Sequence, residues 1–131
     1  MKKLTKSDIV RLHYCITKQS GVDSRVRDEN LLDLSVNSPY QTFGGEDLYD
    51  GVMRKAVHLC YSLVMNHPFV DGNKRIGAHA LLITLDGNGI VLDYTQEELI
   101  DVILKLASSK LSEKELLEWV KNHINNTKAW D

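Results

Sequence analysis

The sequence predicts an all-α fold: a single domain over residues 1–131, of about six helices, with a small flap or hairpin before the central helix. Three observations carry this. Apolar residues recur at helical spacing through each long segment. The segments open on capping residues, among them the capping boxes Thr95-Gln96-Glu97-Glu98 and Ser112-Glu113-Lys114-Glu115. Glycine or proline punctuates several of the breaks between them. At 131 residues the chain is large enough to bury a core of its own.

Taken in order, Thr5 or Ser7 caps a first helix, with Asp8 in its opening turn and Ile9, Leu12, His13 and Ile16 on one face. On that face His13 reads as a packed or rim histidine rather than a ligand. Ser20-Gly21 stops the helix, and residues 22–27 form a polar connection in which Arg25 and Arg27 are solvated. Asp28 caps a short second helix carrying Leu31, Leu32 and Leu34, ended by Asn37-Ser38-Pro39. Tyr40-Gln41-Thr42-Phe43-Gly44-Gly45 fits neither a helix nor a clean strand, and its glycines favour a hairpin-like flap or an ordered loop.

Asp47 or Asp50 opens the third helix, which runs to Asn66. Its stripe of Val52, Ala56, Leu59, Leu63 and Val64 is widened by Val57 and Tyr61, as a central helix packed on several sides requires. A fourth helix spans 75–85; small Gly77 and Ala78 near its start allow close packing or close ligand approach. Asp86-Gly87-Asn88-Gly89 ends it, and Ile90-Val91-Leu92 is a short apolar link. The two capping boxes start a fifth helix bearing Leu99, Ile100, Val102, Ile103 and Leu106, and a sixth bearing Leu116, Leu117, Trp119 and Val120. Trp119 is expected in the core, and the chain from Asn125, with an exposed Trp130, is expected to fray.

Composition excludes several classes. Charged residues make up 26% and the net charge is −2, without the basic stripe of a general nucleic-acid binder. His58 precedes His67 by nine positions and forms no HExxH pair; no metal spacing joins His58, His79 or His123. Cys15 and Cys60 stand far apart in apolar patterns and read as two buried free thiols, consistent with a reducing cytoplasm. The start, Met1-Lys2-Lys3-Leu4-Thr5, lacks the apolar run of a signal peptide, and nothing reaches the length of a membrane-spanning helix.

Chemistry concentrates in His67-Pro68-Phe69-Val70-Asp71-Gly72-Asn73-Lys74-Arg75. Pro68 keeps His67 out of the α region and stops the third helix. Gly72 and Asn73 tolerate left-handed backbone, so that successive N–H groups form an anion-binding nest beside the next helix N-terminus. The imidazole of His67 suits a general base. Asp71 is a hard oxygen ligand for nucleotide-borne Mg²⁺. Asn73 with the loop amides cradles phosphate, and Lys74 and Arg75 neutralise charge on a transferring phosphoryl group. Phe69 is a structural anchor. The loop is not a Walker A motif, since the Gly-to-Gly spacing is absent and Arg75 follows the lysine.

His-Pro-Phe-x-Asp-Gly-Asn-x-Arg resembles the signature loop of Fic/Doc proteins, His-x-Phe-x-(Asp/Glu)-Gly-Asn-Gly-Arg-x-x-Arg. Lys74 stands where most Fic enzymes have glycine and Ala78 where they carry a second arginine, departures shared with the Doc, or death-on-curing, branch. The resemblance implies a protein kinase toxin that moves the γ-phosphoryl of ATP, with Mg²⁺, to a Ser or Thr hydroxyl. The implied target is elongation factor Tu, and a small Phd-like antitoxin is implied as partner. It makes Thr42, Phe43, Gly44 and Gly45 a candidate target-docking flap. Residues 42–47 do not match the inhibitory helix of self-restrained Fic proteins. Protein AMP transfer and a catalytically silent nucleotide-binding module are the competing readings; an RNA-cleaving toxin is disfavoured by the acidic balance.

Overall fold

Most of the helices begin where a capping side chain precedes an apolar period. The computed structural model describes residues 1–125. These form α1 (Lys6–Thr17), α2 (Glu29–Asn37), a 3-10 turn (Ser38–Tyr40), β1 (Thr42–Phe43), β2 (Glu46–Asp47), α3 (Gly51–Asn66), α4 (Asn73–Gly87), α5 (Gln96–Ala107) and α6 (Glu113–Asn122). The fold is all-α with one small hairpin ahead of the central helix, as the sequence predicts.

Thr5, Thr95 and Ser112 each accept a backbone N–H of the first turn while the acid three residues on returns to the cap. Asp28 caps α2 through the Leu31 N–H at 3.0 Å. α4 begins at Asn73, two residues before the expected start, because Gly72 (φ +79°) turns the chain directly into it. The hairpin pairs Thr42 with Asp47 and Phe43 with Glu46. Gly44 (φ +59°) and Gly45 (φ +84°) form the two-residue turn, which needs positive φ at both positions.

α3 is central. It packs on α2, α4, α5, α6 and the 3-10 turn, and buries Ala56, Val57, Leu59, Cys60, Leu63 and Val64. Two apolar clusters share α3 and α4 as a common wall. On one side Val57, Cys60, Leu81, Leu85, Val102, Leu106, Leu116 and Val120 interlock. On the other, Ile9, Leu32, Leu59, Leu63, Phe69 and Ile76 do. The signature loop joins these two wall helices, so its Phe69 falls into the second cluster with no exposed surface. Trp119 is half-buried against the first cluster.

Two expectations require correction. Cys15 is exposed, since α1 turns that position to solvent; only Cys60 is buried, and its thiol is pushed up to about 12 by desolvation and by Glu113. Asn125 is tied in, its N–H donating to Val91 at 2.8 Å beside the Leu92–Ile124 bridge. Trp130 lies outside the described residues.

The α3–α4 crossing depends on Gly77. A Cβ there would stand 2.5 Å from Val64 Cγ2 and 3.2 Å from the Cys60 carbonyl. Gly77→Ala gains about 1 kcal/mol of helix propensity but overpacks the core, which costs about 1–3 kcal/mol. A net loss is expected. Urea unfolding of a Gly77→Ala and Val64→Ala cycle should show the double variant more stable than additivity allows, because truncating Val64 relieves the clash.

Candidate active site

The loop must end one core helix and start another within six residues, and each unsatisfied backbone group it buries costs stability. His67 takes left-handed backbone, φ +50° and ψ +54°, and α3 stops before it, as Pro68 requires. Such strain in a non-glycine residue costs on the order of 1–3 kcal/mol and persists only where the surroundings impose it. Here Arg27 imposes it. Its Nε donates to the His67 carbonyl at 2.6 Å and its Nη2 to the Asn66 carbonyl at 2.9 Å.

Arg27 is solvent-exposed, as expected, and is also the C-terminal cap of α3. Arg25 stays exposed and pairs with Asp23, whose carboxyl it holds at about 2. The backbone of this connection lies against the loop: the Arg27 and Asp28 N–H groups donate to the Pro68 carbonyl, and the Val70 N–H to the Arg25 carbonyl.

Phe69 is held from two sides. Asn73 Oδ1 accepts its N–H at 3.0 Å and Nδ2 donates to its carbonyl at 3.0 Å. His13 stacks on its ring at 3.7 Å with planes 10° apart, and donates through Nε2 to the Asp71 carbonyl at 2.7 Å. His13 is packed, as expected, and also positions the loop. A side chain at Gly72 would be strained by its φ of +79° and tight against its neighbours, its Cβ meeting Thr17 Cγ2 at 3.0 Å and His13 Nε2 at 3.1 Å. The Asn73 amide is buried and committed to Phe69, so only its backbone N–H is left for an anion.

The remaining groups are exposed. His67 Nδ1 lies 3.1 Å from the Met65 carbonyl. A carbonyl only accepts, so the neutral ring carries its proton on Nδ1 and a lone pair on Nε2. Asp71 Oδ1 accepts the Gly72 N–H at 2.7 Å, while Oδ2 has no partner among the described residues. No group of three or more His, Cys, Asp or Glu side chains converges there. One carboxylate with a free oxygen suits a Mg²⁺ brought by nucleotide phosphates rather than one held in a protein cage.

Lys74 and Arg75 flank the α4 N-terminus, which no side chain caps. Arg75 Nη1 donates to Ser20 Oγ at 3.1 Å, leaving the rest of the fork outward. The flap residues Thr42, Phe43, Gly44 and Gly45 are all exposed, Phe43 to 80%. Buried Lys55 anchors the flap base to α3 through Asp47 at 2.9 Å and the Tyr49 carbonyl.

Of these contributors, Arg27, His13, Asn73 as a clasp and Lys55 escaped functional reading. Only His13 carried a signal, its place on an apolar face. Asn73 stands out in the loop as a phosphate cradle but not as a clasp, and Arg27 and Lys55 sit in polar or helical stretches that do not mark them.

An all-α protein in which a histidine-led loop joins two core helices, with a cationic helix start beyond it, is the class these features define. The chain belongs to the Fic/DOC family, whose model matches residues 3–85. It is 38% identical over 90 residues to Toxin Doc of Mycolicibacterium smegmatis (strain ATCC 700084 / mc(2)155), an alignment covering 67% of this chain and 69% of that protein. The family match takes in α1 to α3, the flap, the loop and most of α4.

Burial pulls the His13 imidazole below its ordinary 6.5, against the smaller raising effect of Asp71. The unfolded chain restores the ordinary value and takes up a proton that the folded state refuses. Stability from this site is therefore full above about pH 6.5 and is lost as pH falls below it. His13→Gln can keep a donor near the Asp71 carbonyl but does not titrate. Urea midpoints of the wild-type chain should fall relative to His13→Gln between about pH 7 and pH 5.

Proposed function

We propose that this chain is the toxin of a toxin–antitoxin pair, a phosphotransferase that moves the γ-phosphoryl group of ATP to a Ser or Thr hydroxyl of a target protein. The observation that supports it best is the pairing of an exposed His67 Nε2 lone pair with an uncapped, cation-flanked helix start one loop away. The family match and the likeness to a Doc toxin support the toxin reading. Lys74 and Ala78 favour phosphoryl over AMP transfer. Lysine adds bulk and charge where glycine would admit an α-phosphate, and alanine removes a clamp for the far phosphates.

In this reading the γ-phosphate sits on the N–H groups of Asn73, Lys74 and Arg75. The Lys74 and Arg75 side chains neutralise the charge that builds on its equatorial oxygens. Mg²⁺, held by Asp71, would neutralise phosphate charge when bound. The target hydroxyl oxygen attacks the γ-phosphorus, its proton passes to His67 Nε2, and the bond to the β-phosphate oxygen breaks to release ADP. The Met65 carbonyl orients the ring for this and stabilises the imidazolium that forms. His67 is exposed, so it returns the proton to solvent. Phe43 and the short β1 edge offer the target backbone a strand to pair with. The resemblance points to elongation factor Tu as target, and to a Phd-like antitoxin as restraint.

Two labels decide the reaction. With purified elongation factor Tu or a cell extract, γ-labelled ATP should mark the target and α-labelled ATP should not. The target gains a phosphate mass and ADP appears. Incorporation of α-label would establish AMP transfer instead, and neither label, with ATP bound, a silent module. His67→Ala should lower the rate by about 10²–10⁴ without loss of ATP binding. Lys74→Gly should reduce γ-label transfer, and an unchanged rate would show that the lysine does not orient the nucleotide.

A further inference from the structure

The last turn of α1 is fixed against the signature loop at two points. His13 holds the Asp71 carbonyl, and Thr17, with no exposed surface, sets its methyl group against Gly72. Three residues on from Thr17 stands Ser20, and three on from Gly72 stands Arg75. The two meet, Arg75 Nη1 donating to Ser20 Oγ at 3.1 Å. The serine hydroxyl is itself held in place. Its proton goes to the Thr17 carbonyl at 3.0 Å, and the same carbonyl accepts the Ser20 N–H at 3.1 Å. What Oγ has left is lone pairs, and Arg75 takes one of them.

We infer that Ser20 is a positioning residue, whose hydroxyl aims the Arg75 guanidinium at the transferred phosphate without neutralising it. The inference rests on the phosphate reading above and adds a residue from α1, outside the signature loop. An exposed arginine samples many rotamers, and one fixed hydrogen bond narrows them. The guanidinium carries five N–H donors, so four remain for phosphate oxygens once Ser20 has taken one. The partner's chemistry matters as much as its place. Among the described residues the Arg75 fork meets no carboxylate. A carboxylate here would hold the arginine at least as firmly, but it would cancel the charge and compete with phosphate for the same donors. A hydroxyl with its proton already committed gives direction and leaves the charge whole. Ser20 and Arg75 are both exposed, so their bond adds little to the stability of the fold. Its effect falls on the geometry of the site.

A double-mutant cycle on the full chain tests this, read by calorimetric titration with MgATP and by the γ-label transfer rate. Ser20→Ala should weaken MgATP by about threefold and slow transfer by about tenfold, with circular dichroism and urea midpoints near wild type. Ser20→Thr, which keeps the hydroxyl, should recover most of both losses. Ser20→Asp should bind MgATP more weakly than Ser20→Ala, because it pairs with Arg75 and cancels its charge. The deciding comparison is with Arg75→Ala. In that background Ser20→Ala should cost nothing further, since the group it aims is gone. An equal Ser20→Ala loss with and without Arg75, or no loss in the wild-type background, would overturn the positioning role and leave the phosphate site standing. A wild-type chain that binds MgATP but transfers no label would overturn the transfer reading, and the binding cycle would still decide Ser20. Absence of MgATP binding would overturn the phosphate site, and the role of Ser20 with it.

Discussion

The structure depends on one clasp, the pair of hydrogen bonds between the Asn73 side chain and the backbone of Phe69. The two wall helices of the core meet through a loop that is itself partly buried, and a buried backbone group without a partner costs about 1–3 kcal/mol. Asn73 supplies a donor and an acceptor in the spacing of a peptide group and closes both exposures of Phe69 at 3.0 Å each. Once those are closed, the Phe69 ring can sink fully into the second cluster, a burial worth about 1.5–3 kcal/mol. The ring then fixes the plane on which His13 stacks. His13 in turn fixes the Asp71 carbonyl and crowds Gly72. Asparagine acts here on packing, with its side-chain amide committed to the Phe69 backbone.

The second constraint is the left-handed turn at His67. A histidine at this helix end does not continue the helix, because Pro68 after it disfavours the right-handed option. Arg27 takes both terminal carbonyls of α3 and holds the turn where the ring can reach Met65. Core anchoring at Phe69 and surface capping at His67 act on adjacent residues from opposite sides. The loop is thereby held without any need for a bound ligand.

Much of this was legible beforehand, and the reasons differ by residue. Capping boxes and the apolar period of α3 act locally, within four residues, so Thr95, Ser112 and the central helix could be read directly. Phe69 was readable as an anchor because a large aromatic in a polar loop has few other uses. Arg27 and Cys15 were not. The partners of Arg27 lie 39 and 40 positions away, and whether Cys15 faces in or out depends on how α1 rotates against α4. Asn73 was half-read: residue type and spacing suggested a polar role at the nest, but its partner was the backbone four residues back. The start of α4 was misplaced for the same reason, since Gly72 hands over to the helix without a capping side chain to mark the boundary.

That missing cap carries the last step. Side chains cap α1, α2, α5 and α6, through Thr5, Asp28, Thr95 and Ser112. The helices on either side of the loop, α3 and α4, have none. A cap is worth about 1 kcal/mol, and a chain that uses one at four helices has the means to use one at α4. Serine or aspartate at position 72 is disfavoured there by the positive φ and by the 3.0 Å approach of Thr17. The constraint that packs α1 onto the loop thus also keeps the α4 N–H groups free, beside two cations that favour an anion at the same place. The packing of α1 and the uncapped start of α4 are in this sense one property of Gly72.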